Sequence, residues 1–469
     1  MSDEALERML RARRGFTEAA AGCGKTQLLT SIVADERFGR QLVLTHTHAG
    51  VAALRKRLNG LRIPSRHYHL DTIAGWSVRW ATAYPSLSNY VVDVAALPSW
   101  PRAYEGARRV VATALGREVL RASYTGVLVD EYQDCTALQH RLVEEIATVL
   151  PCRGVGDPLQ AIFGFRNDPS VAWSDVQASF DFQPPLCEPW RWRRDGQNAG
   201  LGAWLTDARR ELQNNGRITI AHEAPVQWMR HQDAQAWAHT CRGAVVPGES
   251  TVAILKWPNE CRTLARPLGG RWPVVERFDD PDLLECASAI AAADGPGVVS
   301  HLFEFLRARV TGVGTALARI VGAVSEGRST ASFRNHRDHL ERIAALVGEP
   351  SPETALAVLD AILASREWVL YRPECVHQLR TALRELGGQS LSELPDAVAA
   401  ARTRARHRGR PTHRRTLGTS LLVKGLEFDH AVVLTPDAMT VRELYVAITR
   451  GSKSLTIVSH ARTISPSQF

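Results

Sequence analysis

A chain of 469 residues exceeds what one ordinary core holds, so two to four domains are expected. With 45% hydrophobic and 23% charged residues, it is neither a disordered nor a membrane-spanning composition. The net charge of +8 and the pI near 9.2 suit a polyanionic partner, and Arg far outnumbers Lys, which fits bidentate recognition of phosphate. The eight cysteines are scattered without a Cys-x-x-Cys pair, so neither a zinc site nor a disulfide framework is indicated. The amino-terminal stretch is charged and has no apolar signal core, and no run approaches membrane-spanning length. A reducing, cytoplasmic setting is therefore expected.

In chain order, a charged helix over about Asp3–Arg14 precedes a strand at Phe16–Ala20. Ala19-Ala20-Ala21-Gly22-Cys23-Gly24-Lys25-Thr26 follows and opens an apolar helical pattern. A Gly-rich turn opening a helix offers backbone N–H groups to a phosphate chain, and the helix dipole favours the negative charge. Lys25 can reach the terminal phosphates, and the Thr26 hydroxyl can hold Mg²⁺. Ala19 stands where the strict pattern has Gly. Next, Gln41–His48 reads as an apolar strand with a polar end, and Ala49–Leu58 as a helix. His46 and His48 lack a third ligand at useful spacing, which favours a ring stacking on a base over a metal site. Asp71 or Thr72 caps a further helix. Residues 78–123, rich in Trp, Tyr and Arg, read as a mainly helical insertion.

Gly126–Val129 is a short apolar strand ending in Asp130 and Glu131. Adjacent acids at the end of a buried strand are costly unless a cation or substrate needs them. Asp130 can bind the Mg²⁺ held by Thr26, and Glu131 can orient or deprotonate an attacking water. Cys152–Gly156 is another strand with a polar end, where Gln160 can sense a γ-phosphate. Phe165 and Arg166 form an aromatic–cation pair suited to a base and its phosphate. Trp190-Arg191-Trp192 precedes a helix over Asn198–Leu212. Strands at Arg217–Ile220 and Thr251–Leu255 point to a second α/β unit. From about Pro296 to Arg410 the pattern is helical, with breaks at Gly348–Pro352, Gly387–Gly388 and Pro395. Its basic end, Arg402–Arg415, is a candidate for phosphate contact. The tail returns to α/β with a strand at Ala431–Leu434, a helix at Arg442–Arg450 and a strand at Ser454–Val458.

These stretches stand in the order of the motifs of superfamily 1 helicases of the UvrD/Rep/PcrA group, which the chain resembles along most of its length. Ala19–Thr26 resembles motif I, Leu44–Ala53 motif Ia and Thr72–Trp76 motif Ib. Val129–Asp134 is similar to motif II, Val155–Arg166 to motif III and Leu186–Trp192 to motif IV. Thr419–Asp429 is similar to motif V and Tyr445–Gly451 to motif VI.

The resemblance implies an α/β fold of two RecA-like P-loop motor domains, parallel sheets flanked by helices, each with a mainly helical insertion. The first motor would comprise 1–77 and 124–186 around the insertion 78–123. The second would comprise 187–295 and 412–469 around a reduced insertion at 296–411. ATP and Mg²⁺ would bind through Ala21, Gly22, Cys23, Gly24, Lys25 and Thr26, with Thr26 and Asp130 as the metal residues. Lys25, Asp130, Glu131, Gln160, Arg191 and Arg450 would be catalytic, the two arginines as fingers from the second motor. Trp190 takes the place of an adenine-stacking Tyr, Gln27 that of an Arg packing on adenine, and Glu427 would hold the ribose. His46, Thr72, Phe165 and Arg166 would contact DNA.

The family's upstream Gln motif is expected to be absent, because the phosphate loop lies near the start. With Gln27, this leaves adenine selectivity loosely specified. The activity implied is ATP-dependent 3′→5′ translocation or unwinding on single-stranded DNA. The compact build also resembles the helicase-like GajB subunit of the Gabija anti-phage system. It implies an OLD-family, GajA-like nuclease partner and a role in phage defence, beside DNA repair. The alternative is a DNA-end-stimulated NTPase sensor that activates a nuclease with little unwinding.

Overall fold

The computed structural model describes residues 3–91, 99–164, 168–230, 233–277, 280–311, 316–326, 337–365, 368–408 and 413–467. The fold is α/β, built on parallel sheets flanked by helices. By their contacts the residues group into two compact units. Unit 1 comprises Met1–Val226, Met439–Ser454 and Arg462–Phe469, and unit 2 comprises Gln227–Ala438 and Leu455–Ala461. Residues 187–226 and 439–454, read from sequence with the second motor, thus share unit 1 with the phosphate loop.

Unit 1 is organised on a six-stranded sheet. Its strands are β1 (Arg14–Ala19), β2 (Gln41–Thr45), β3 (Tyr68–Thr72), β4 (Gly126–Val129), β5 (Cys152–Gly156) and β6 (Asp181–Leu186), in the order β3-β2-β4-β5-β1-β6. Every pairing is parallel. Parallel strands need crossover helices, which cover both faces, so the inner strands are largely buried on both sides. Leu42, Leu44, Val127 and Val129 pack in one core, and the alternate Val43 and Leu128 pack in the other. Phe16 sits at the centre of an aromatic cluster, with ring centroids 4.8 Å from Phe182, 5.4 Å from Trp173 and 5.6 Å from both Tyr132 and Phe180. Strand β6 carries Pro184 and Pro185. It lies at the sheet edge, where missing N–H donors are tolerated. Helices Trp100–Ala112 and Ala114–Ser123 fill most of the described part of the predicted helical insertion.

One strand expectation changes. The Arg217–Ile220 stretch forms β7 (Ile218–Thr219), which pairs antiparallel with a short strand at Thr463–Ile464 inside unit 1 and joins no second sheet. Two residues are too few to span a sheet, and its partner lies at the end of the chain, beyond the reach of local pattern.

A second, five-stranded sheet comprises β8 (Gln227–Arg230), β9 (Thr251–Leu255), β12 (Arg415–Thr419), β13 (Phe428–Val433) and β14 (Gly451–Ser459), of which residues 455–459 of β14 and all of the other four belong to unit 2. The order is β12-β9-β13-β14-β8. Strand β9 pairs parallel with both β12 and β13, and β14 pairs parallel with β8. Between β9 and β12 lies a helical region that begins at Pro281. It includes a two-stranded ribbon of β10 (Val310–Thr311) and β11 (Val369–Leu370), and it has its own core around Leu302, Leu359 and Leu379. Breaks fall at Gly348–Pro352 and after Leu386 as predicted. Pro395 instead stands second in the helix Leu394–Arg408, because proline is tolerated in a first helical turn. Arg402 and Arg404, at the basic end of this helix, are drawn onto the protein itself, to the Asp280 carbonyl and to Glu385.

At the root of the helical region, Arg372 is buried between two carboxylates, with Nε 3.0 Å from Glu276 Oε1 and Nη2 2.6 Å from Asp280 Oδ2. Arg309, equally buried, reaches Asp282 Oδ2 at 2.8 Å. Glu276, Asp280 and Cys375 bring their ligand atoms within 4.8 Å of one another, but the Arg372 guanidinium already supplies the positive charge there. Removing one partner of a buried pair strands the other's charge. Arg372→Ala is therefore expected to destabilise unit 2 by about 3–5 kcal/mol, read as a lowered denaturation midpoint. A change within experimental scatter would show that the pair holds nothing together.

Candidate nucleotide site

The phosphate-loop residues sit at the carboxyl end of β1, and the helix Lys25–Ala34 starts at Lys25. Because the sheet is parallel, the carboxyl ends of β4 and β5 open on the same edge, the edge where α/β sheets bind ligands. Gly22 and Gly24 hold φ of 71° and 96°, the left-handed region that glycine adopts without strain. The Lys25 side chain is buried, and its Nζ donates to the Ala19 carbonyl at 3.0 Å, folding back over the loop.

Asp130 ends β4 and is buried. Burial and the neighbouring Glu131 charge push its carboxyl up to about 7, against the opposing pull of the Lys25 ammonium. Glu131 has φ of 50°, a positive value seldom held by a non-glycine residue, which turns the chain sharply after the strand. Its Oε2 accepts from Gln133 Nε2 at 2.5 Å. Beyond β5, Gln160 is buried and donates to Asp157 Oδ2 at 2.7 Å.

The 187–226 segment runs against the loop. The Arg191 amide donates to the Gly22 carbonyl at 3.1 Å, and its Nη1 donates to the Thr449 carbonyl at 2.9 Å. Trp192 is fully buried, with Nε1 on the Gly451 carbonyl at 2.8 Å. Arg450 is buried, with Nε on the Val446 carbonyl and Nη2 on Thr449 Oγ1, each at 2.8 Å. Unit 1 thus brings Lys25, Asp130, Glu131, Gln160, Arg191 and Arg450 into one polar region. Trp190 is exposed beside the loop, its Cδ1 lying 3.6 Å from where a Gly24 side chain would start. Gln27 is engaged by Arg57 Nη2 and Ser31. Cys23 is buried and its thiol is pushed up to about 12 by burial, so it serves as packing. Of the eight free cysteines only Cys187 is exposed.

Glu427 is exposed and belongs to unit 2. Thr72 is buried and its hydroxyl caps the helix Ile73–Ala83, accepting from Gly75 N at 2.9 Å. The His46 ring lies 5.5 Å from Phe163. Phe165 and Arg166 lie outside the described residues. Sequence reasoning missed Asp157, Arg209 and Tyr445, which bind the region together. Tyr445 accepts from the Ala21 amide at 3.2 Å, and Arg209 Nη1 bonds Asp157 Oδ1 at 2.6 Å. Tyr445 and Asp157 lie in stretches already singled out, whereas nothing marks Arg209 among the polar residues of its helix.

Residues 110–180 match the family described as UvrD/REP helicase N-terminal domain. No curated protein matches the chain. Among solved structures, an Arterivirus nonstructural protein 10 helicase is 11% identical, with 97% of this chain and 61% of that chain covered and a TM-score of 0.31. A Bacteroides Pif1 helicase, solved with ADP-AlF3 and single-stranded DNA, is 12% identical, with 57% of each chain covered and a TM-score of 0.32. A Candida albicans Pif1 helicase is 13% identical, with 56% of this chain and 53% of that chain covered and a TM-score of 0.33. The chain thus spans less than two thirds of the length of these structures. Among the described residues no helix is long and apolar enough to cross a membrane.

Two outcomes follow from this geometry. A Cβ on Gly22 would lie 2.5 Å from Trp192 Cζ3 and 2.9 Å from Arg191 Cβ, in a backbone conformation that L residues avoid. Gly22→Ala should weaken binding of a fluorescent ATP analogue by about tenfold or more, equivalent to about 1.4 kcal/mol; unchanged affinity would show that the loop does not depend on this fit. The raised Asp130 carboxyl means that the folded protein holds a proton after the unfolded chain has lost it. Its contribution to stability therefore falls as pH rises from about 4 to about 7 and stays low above that. In metal-free buffer Asp130→Asn should melt a few degrees above wild type at pH 8, with the gap closing towards pH 4. A gap independent of pH would rule this out.

Proposed function

We propose that unit 1 hydrolyses Mg²⁺-ATP and that the chain uses this to move 3′→5′ along single-stranded DNA as a translocase or helicase. The observation that carries this is the convergence of the phosphate loop, the Asp130–Glu131 pair, Gln160 and two arginines at one sheet edge. The glycine-rich turn and the start of the Lys25–Ala34 helix cradle the phosphates, and Lys25 swings from the Ala19 carbonyl to the terminal phosphate. Thr26 and Asp130 provide an all-oxygen donor set that suits Mg²⁺, and the buried Asp130 beside Glu131 is stabilised in its charged form by a cation. The bound ion would neutralise charge on the phosphate oxygens. Glu131 takes the proton of the attacking water, and Gln133 holds its carboxylate in place. Arg191 and Arg450 release backbone partners to meet the developing charge, and Gln160 senses the terminal phosphate.

Trp190 and Gln27 border the base, and the resemblance implies Glu427 for the ribose. His46, Thr72, Phe165 and Arg166 form the DNA path, for which the Thr72 cap must open or act through its backbone. The two motors would be those outlined from the sequence, and the net charge of +8 suits the DNA partner. The context we propose is phage defence beside an OLD-family nuclease, or DNA repair. Steady-state ATPase assays with and without single-stranded DNA test the chemistry. Lys25→Ala should abolish turnover, and Glu131→Gln should lower it by about a hundredfold or more while nucleotide still binds. Turnover untouched by Glu131→Gln would end the assignment. Displacement of a strand from 3′-tailed but not 5′-tailed duplex tests polarity, and DNA-stimulated turnover without displacement would favour the sensor.

A further inference from the structure

One buried polar assembly in unit 1 contains three residues, Asp157, Arg209 and Tyr445, to which the chemistry above gives no role. Its hub is Asp157, fully buried just past β5. The Asp157 amide donates to Gln133 Oε1 at 2.9 Å, and Gln133 Nε2 donates in turn to Glu131. Asp157 Oδ2 accepts from Gln160, and Oδ1 accepts from Arg209 Nη1 at 2.6 Å. Arg209 belongs to the helix Ala199–Asn215, and its guanidinium lies 5.1 Å from the Tyr445 ring centroid. Tyr445 in turn accepts from the Ala21 amide of the phosphate loop and sits on the helix Val441–Ile448, which leads directly into Thr449 and Arg450. A continuous polar path therefore runs from Glu131 through Gln133, Asp157, Arg209 and Tyr445 to Ala21.

Burying a pair such as Asp157–Arg209 is seldom the cheapest way to gain stability, since apolar residues of similar volume pack as well or better. What an ion pair adds is directional geometry: two bonded ends fix where each side chain can stand. Here the Asp157 carboxylate holds Gln160 while its amide holds Gln133, and Arg209 rests against Tyr445 on the helix that leads into Arg450. We infer that Arg209 is a positioning residue that ties the Glu131 arm of the site to Tyr445, the phosphate loop and the Arg450 helix, so that both sides are aligned together for turnover. The inference rests on the reading of unit 1 as a nucleotide hydrolase.

The full chain carrying Arg209→Lys, Arg209→Met, Tyr445→Phe or the Arg209→Lys/Tyr445→Phe pair tests it. Readouts are steady-state ATPase with single-stranded DNA, titration with a fluorescent ATP analogue, and melting temperature. Arg209→Met and Tyr445→Phe should each lower kcat about tenfold, with KM and nucleotide affinity within about threefold of wild type. Arg209→Lys, which keeps the charge but loses the fork, should fall between Arg209→Met and wild type. Because the residues act along one path, the double variant should be no slower than the worse of its singles, whereas independent roles would multiply their losses. Multiplied losses, or kcat within twofold of wild type in Tyr445→Phe and Arg209→Lys, would overturn the relay. If Arg209→Met does not fold, those two conservative variants decide the matter. A wild-type chain that neither binds nor hydrolyses ATP would instead bring down the hydrolase reading, and so separates the two failures.

Discussion

Gly22 has no side chain, and Trp192 occupies the place where one would begin. The phosphate loop and the segment that carries Arg191 therefore meet at van der Waals contact, with the Arg191 amide bonded to the Gly22 carbonyl. Much of unit 1 depends on this fit. Trp192 is anchored on Gly451 and packs under Gly202, so the 187–226 segment and the stretch after Arg450 are held against the loop as one body. Close packing of this kind is intolerant of added volume, which is why glycine is required there for steric as well as conformational reasons.

The electrostatics of the region follow from the sheet. A parallel sheet buried on both faces places the ends of β1, β4 and β5 along one edge, and the polar residues that follow them meet in a low-dielectric setting. A carboxylate such as Asp130 is costly there, which appears as its raised proton affinity beside Glu131. The compensations are visible: Lys25 lies close enough to pull Asp130 down, Gln133 bonds Glu131, and Arg209 neutralises Asp157. Unit 2 solves a similar problem differently, with Arg372 and Arg309 satisfying the acids at the root of its helical region. In unit 1 the acids stand at the carboxyl edge of the sheet, whereas in unit 2 they are closed in by arginine.

Much was legible in the sequence alone. Leu42–Leu44, Val127–Val129, Val252–Leu255 and Ala431–Val433 are continuous apolar runs within inner strands, because strands covered on both faces leave little polar alternation, and the helix after Thr26 follows directly from its pattern. The Gly-Lys-Thr turn and the Asp130–Glu131 pair stand at the ends of apolar strands, which is what marks them as candidates in the sequence. The strands that escaped are the edge strands of the two sheets, β3, β6, β8 and β12. Tyr68–Thr72 and Gln227–Arg230 are half polar, and β6 contains two prolines, since an edge needs neither full burial nor every N–H. What only the tertiary structure decided is which distant side chains meet. Arg209 meets Asp157 52 residues away and Tyr445 meets Ala21 424 residues away. Arg450 turns onto its own helix, and Thr72 spends its hydroxyl on a cap. Local spacing constrains a residue only relative to its neighbours along the chain, and these contacts arise from crossovers that bring separate helices to one sheet edge.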